Sequence, residues 1–177
     1  MSTNSNLYKK LLGVGLGSAL AISGAFIVAP FEGKENKAYI DPVGIVTVCF
    51  GNTGKEAVLG KSYTDDQCLD QMAEDLKQHD KQLMSVVKVP FKSDYQHAAM
   101  LSFVYNVGIG NFSSSTMLKK LNAKNYGGAC QELTKWVYAK KQKLKGLVIR
   151  RSVEYAYCMN EIPLKDLIDI EAVKVQK

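Results

Sequence analysis

The spacing of apolar residues changes period along the chain. From Leu11 to Phe31 run 21 residues without a charge and without a polar face at any helical spacing. As one helix this stretch spans roughly 30 Å, enough to cross a hydrocarbon core. Residues 37–53 alternate instead: Ile45, Thr47 and Cys49 face one way, Val46, Val48 and Phe50 the other. Asp41-Pro42-Val43-Gly44 carries turn chemistry, so this region reads as strand, turn and strand. The period then becomes helical. Thr64-x-x-Gln67 is a capping box that opens a helix to about Val87, with Cys68, Met72, Leu76 and Leu83 near one face. Ser93-x-x-Gln96 opens a helix over 94–107, which Gly108 ends. Ser113–Ser115 start a short helix through Leu121. Gly127-Gly128 precede another through Val137, and Gly146 precedes the last, to about Met159; residues 161–177 are a charged tail. The pattern predicts a helix-rich α+β fold, a small β-hairpin lobe followed by a larger helical one.

A chain of 177 residues suits one well-buried domain. With 46% apolar and 23% charged residues it is no disordered, collagen-like or multi-span chain. Lys9 and Lys10 are the only charges in 1–31, so +4 of the net +6 falls on residues 32–177. That excess suits an anionic partner: nucleic acid, a membrane surface or a wall polymer. Ten of the 21 uncharged residues are Gly, Ala or Ser, which partition weakly into lipid for their number. The lysines ahead keep the N-terminus cytoplasmic and send the remainder across. Three forms are open: a signal peptide cleaved near Ala19-Leu20-Ala21, a permanent anchor, or a weak anchor that leaves the membrane intact. A helix buried in a cytosolic protein would have to hide 21 residues with no polar face. Four cysteines, with no C-x-x-C and no His at zinc spacing, speak for export and against a metal site. Two disulfides or four buried thiols would satisfy the count. Of three connectivities, Cys49–Cys68 with Cys130–Cys158 keeps each bridge within one lobe.

Past the uncharged stretch stands the spacing E-x8-D-x5-T, formed by Glu32, Asp41 and Thr47. Glycosidic cleavage needs two carboxyls in unlike surroundings: one protonated to serve the leaving oxygen, one ionised to stabilise the oxocarbenium-like centre. Glu32 follows an apolar run, where leaving water disfavours a charge, whereas Asp41 in an exposed turn keeps its own. The Thr47 hydroxyl can position a water.

The run FEGKENKAYIDPVGIVTVCFGNTG resembles the active-site segment of phage-type lysozymes, glycoside hydrolase family 24. SFVYNVGIGNFSSSTMLKKLN at 102–122 is similar to that family's cleft-lining helix and loop. Trp136 and GLVIRRSVEYAYC at 146–158 resemble its C-terminal helices. The resemblance implies a lysozyme-like fold with its cleft between the lobes and no cofactor. It also implies cleavage of the β-1,4 bond between N-acetylmuramic acid and N-acetylglucosamine in peptidoglycan. Glu32 would be the general acid, Asp41 the second carboxylate and Thr47 the water-positioning hydroxyl. Together with the N-terminal segment the chain resembles the signal-arrest-release endolysins of tailed phages. Residues 1–31 would then be the releasable inner-membrane segment, with lipid contact over 11–31. Residues 32–177 would be the catalytic domain, periplasmic and monomeric. The expected first helix must come from about 20–31, residues that cannot lie in lipid and in the domain at once. Tethering would therefore withhold that helix and keep Glu32 from Asp41 and Thr47. Two departures stand out. Pro30 predicts a kink or stop near Val28, and no cysteine in 11–31 is available for disulfide exchange.

The resemblance also nominates Asn106, Thr116 and Phe112 as sugar contacts, against helix-end and cap roles. Arg150 or Arg151 could pair with Glu32, against a plain surface ion pair. Trp136 reads equally as core or as sugar platform. His79 and His97 have no nucleophile in recognisable context and there is no G-x-S-x-G, which argues against triad hydrolysis. Lys140–Lys145 could grip phosphates, but reads more simply as a solvated loop without a nucleic-acid fold signature, so no nucleic acid is expected. Two rival functions remain: a lytic transglycosylase of the same fold, and a non-catalytic wall-binding membrane protein.

Overall fold

A computed structural model describes residues 3–41 and 44–160. Pro42 and Val43 of the expected turn, and the tail 161–177, lie outside the described residues.

The uncharged stretch is not one rod. Helix α1 (Thr3–Gly13) gives way to a glycine-containing turn, and α2 (Ser18–Ile22) begins the next rise. A π-helical stretch, Ser23–Val28, and α3 (Ala29–Glu32) continue it with helical angles at Ser23 and Ala29. Pro30 offers no N–H and its ring crowds the carbonyl four residues back. The wider π winding upstream accommodates both, so the helix changes pitch at Val28 instead of stopping there. Among the described residues no helix is long and apolar enough to cross a membrane. Ala21, Ile22 and Ala25–Val28 are buried in one core with Met72, Leu76, Leu83, Met100 and Phe103. A side chain at Gly24 would come within 2.8 Å of Leu11 and Leu76 methyls, so glycine lets these elements close up. Full burial of each of Ile22, Phe26, Ile27 and Val28 contributes roughly 1.5–3 kcal/mol. Their sum is comparable to a domain's whole net stability.

Strands β1 (Glu35–Ile40) and β2 (Val46–Cys49) form an antiparallel hairpin, with Tyr39 opposite Thr47, Ile40 opposite Val46 and a bulge between Glu35 and Tyr39. Helix α4 (Asp65–Val86) opens on the expected Thr64–Gln67 capping box. Helix α5 (Asp94–Val107) is capped by Ser93, but Gln96 Oε1 accepts from Lys92 N–H at 3.0 Å, so the second box is not reciprocal. A one-turn helix α6 (Ile109–Ser113) precedes α7 (Thr116–Asn122), which starts on Ser115. In α8 (Tyr126–Leu133) the cap is Asn125, so Gly127 and Gly128 lie inside the first turn, and the helix ends short of Val137. The lysine-rich loop contains a small exposed hairpin, β3 (Tyr138–Ala139) and β4 (Gln142–Lys143), whose turn residues Lys140 and Lys141 take φ of 49° and 65°, as a tight two-residue turn requires. Helix α9 (Lys145–Cys158) closes the described chain. Disulfides join Cys49 of β2 to Cys68 of α4, and Cys130 of α8 to Cys158 of α9, the pairing favoured above.

Candidate active site

Glu32 is the last residue of α3, and Gly33, at φ 74°, turns the chain from that helix into β1. Few L residues adopt that angle, so glycine is what sets the acid at the junction of the lobes. The Glu32 side chain is 25% exposed, and its Oε1 accepts from Arg150 Nη1 at 2.7 Å. Its Oε2 lies toward Gly51, where a Cβ would sit 3.4 Å from it.

Arg150 is buried and engaged on every side. Its Nε donates to Glu154 Oε1 at 3.2 Å, its Nη2 lies 3.4 Å from both Ser102 O and Ser102 Oγ, and it stands 5.5 Å over the Phe31 ring. Glu154 is wholly buried. It accepts from Ser102 Oγ–H at 2.7 Å and from Arg151 Nη1. Arg151 also donates to Asn106 Oδ1 and, at 3.1 Å, to Trp136 O, and lies over the Phe103 ring. Burial pulls the Arg151 guanidinium below its ordinary pKa, and the Glu154 charge opposes this. The surface ion pair considered from sequence is thus corrected. The pair is Arg150–Glu32, and both arginines are buried among carboxylates.

Three further polar residues meet near the hairpin base. The Tyr105 hydroxyl donates to Phe50 O at 3.4 Å. Burial, then the charges of Asp75 and Glu32, push its pKa up. Asp75 Oδ2 accepts from Asn52 Nδ2 at 3.0 Å, and burial raises its carboxyl. These residues escaped the sequence reading. Its one usable signal was a carboxylate, Asp75, on the α4 turn that also carries core residue Leu76.

Asp41 and Thr47 share one anchor, the Ile45 peptide. Asp41 Oδ1 accepts from Ile45 N–H at 2.8 Å, and Asp41 N–H donates to Ile45 O at 2.9 Å. The buried Thr47 donates its hydroxyl to the same carbonyl at 3.2 Å, which leaves lone pairs on its oxygen to receive a water. Of the nominated sugar contacts, Asn106 is exposed with its Oδ1 held by Arg151, and Thr116 is exposed at the start of α7. Phe112 is different: its ring is fully buried against Phe103, so it packs the core and presents no face to a sugar. Trp136 is half-buried, edge-on to Phe103.

Glu32 is thus a part-exposed carboxyl held by one buried arginine, and the hairpin that follows it in the chain carries a second carboxyl, Asp41. The family profile described as phage lysozyme matches residues 29–154. The chain belongs to the phage lysozyme family. It is therefore a glycoside hydrolase whose substrate is peptidoglycan. A SAR-endolysin of Bacteriophage PS119 is 38% identical over 164 residues, covering 90% of this chain and 98% of its own. The SAR-endolysin of Bacteriophage PS34 is 40% identical over 81% of this lysozyme and 88% of its own length. Among solved structures, a lysozyme of phage P22 superposes with a TM-score of 0.69 at 31% identity, covering 90% of this chain and 99% of that one. With such relatives along nearly its whole length, this lysozyme is a phage endolysin that causes host lysis.

Proposed function

We propose that Glu32 is the proton donor, Asp41 the second carboxylate and Thr47 the water-positioning hydroxyl. They hydrolyse the β-1,4 bond between N-acetylmuramic acid and N-acetylglucosamine, with Asn106 and Thr116 contacting the glycan. The observation that carries this reading is the one-point bond from buried Arg150 to a part-exposed Glu32 at the lobe junction. A donor must be both fixed and reachable.

Residues 11–31 first lie in the inner membrane with the N-terminus cytoplasmic and the rest periplasmic. They then leave the lipid intact and pack as α2, the π stretch and α3. The burial of Ala21–Val28 supports this order, because those side chains would face lipid before release and fill the core after it. Peptidoglycan turbidity assays on residues 1–177 and 32–177, each with and without Glu32→Gln, test both parts. Full-length protein clears the suspension, and Glu32→Gln slows it by at least about 10²-fold, the scale of a lost general acid. The 32–177 fragment fails, having lost its first helix and the core side chains on it. A fully active Glu32→Gln variant refutes the catalytic assignment; a fully active 32–177 refutes the role given to the segment.

A further inference from the structure

Arg150 meets Glu32 through Nη1 alone. A guanidinium free to turn offers a carboxylate two parallel N–H groups, the strongest arrangement and one that favours the ionised acid. A proton donor needs the opposite, one oxygen anchored and one able to carry a proton. In this lysozyme Arg150 cannot turn, because Nε is engaged by Glu154 and Nη2 lies against Ser102. Glu154 is in turn fixed by Ser102 Oγ and Arg151, and is wholly buried. Its charge also offsets one of two neighbouring guanidinium charges, which would otherwise act undiminished on Glu32.

We propose that Glu154 is a positioning residue of the lysozyme reaction, holding Arg150 so that it gives Glu32 one hydrogen bond and leaves the acid's second oxygen to carry the transferable proton. The proposal rests on Glu32 being the donor. Glu154 touches no substrate; its effect passes through Arg150. The charged and titratable groups near Glu32 are Arg150 from α9 and Tyr105 from α5, with Arg151 of α9 and Asp75 of α4 behind them. Substitution at 154 or 102 replaces none of these residues and reaches Glu32 through Arg150.

The test is a pH–rate profile of full-length, disulfide-intact protein on purified peptidoglycan. Glu154→Gln keeps the shape and an acceptor oxygen but removes the charge, so Glu32 feels more of Arg150. The alkaline limb of activity moves to lower pH by about one unit. At neutral pH kcat falls about tenfold, while KM changes by less than about twofold. Ser102→Ala loosens the same hold without removing a charge. It shifts the limb in the same direction by a smaller amount, and it alone decides if Glu154→Gln fails to fold. Folded variants with wild-type profiles overturn the proposal, as does a loss of activity whose pH limb stays in place, the mark of a merely structural residue. Glu32→Gln is assayed beside them. If it stays active, the donor assignment falls and takes this proposal with it, whereas an inactive Glu32→Gln with unshifted Glu154→Gln and Ser102→Ala overturns the positioning role alone.

Discussion

Glu32 and Asp41 are the two carboxyls proposed for catalysis, yet the fold holds them in contrasting ways. Glu32 is held by Arg150, and Arg150 by Ser102 and Glu154, so its setting is assembled from α3, α5 and α9. Asp41 is held by Ile45, four residues on, and would keep those bonds in any state where the hairpin survives. The difference shows where control can act. Displacing the end of one helix dismantles the acid's surroundings while leaving the hairpin as it is.

The largest effect should come from breaking the long-range side. Arg150→Met removes the bond to Glu32 and leaves buried Glu154 with Arg151 as its one cation. Losing one partner of such a cluster costs about 3–5 kcal/mol, read by urea unfolding, and peptidoglycan clearing should fall by at least about tenfold. Asp41→Asn tests the local side. An amide oxygen can still accept from Ile45 N–H, so stability should change by less than about 1 kcal/mol. Clearing should nevertheless drop by about 10²-fold, since the ionised charge is gone. A collapse in stability there would show the hairpin to be less self-contained than its bonds indicate.

The smallest effect concerns Asp75, whose carboxylate accepts from Asn52. Burial raises its folded-state pKa above the ordinary 3.8. Between 3.8 and that raised value the folded chain holds a proton that the unfolded chain has released. The cost of the buried charge is therefore fully present at neutral pH, fades as pH falls through the raised value, and is gone below 3.8. Asp75→Asn should abolish this gain on acidification, flattening the difference in urea midpoint between pH 4 and pH 7. An unchanged slope would mean that burial is not what sets its titration.

Much of the framework was legible because local chemistry fixed it. Thr64 and Gln67 mark the start of α4, Gly108 ends α5, and the alternation around Thr47 places β2. Ser93 and Gln96 mark α5 as well, although the Gln side chain found a different backbone partner. Glycine misled at α8, where Gly127 and Gly128 sit inside a turn that Asn125 caps. The little β3–β4 hairpin was hidden because two lysines occupy left-handed positions that usually signal Asn or Gly. At the candidate site, the resemblance to phage-type lysozymes nominated Glu32, Asp41 and Thr47, because spacing alone is a weak signal in a chain with 17 acidic residues. The Glu154 cradle could not, because RRSVE reads as a solvated charged face until long-range packing buries it. Phe112 failed as a sugar contact for the same reason: an aromatic in a cleft-like block gives no hint of which side of the wall its ring will take.

The π winding at Ser23–Val28 has a rotational consequence. It takes up about one residue more than an α-helix of equal rise, and one residue is ~100° of azimuth. Straightened into ordinary α geometry, the same segment would still reach the lobe junction but would aim its terminal carboxylate roughly a quarter-turn aside. The compass bearing of the Glu32 carboxyl is therefore written upstream of it, in how tightly Ser23–Val28 coil.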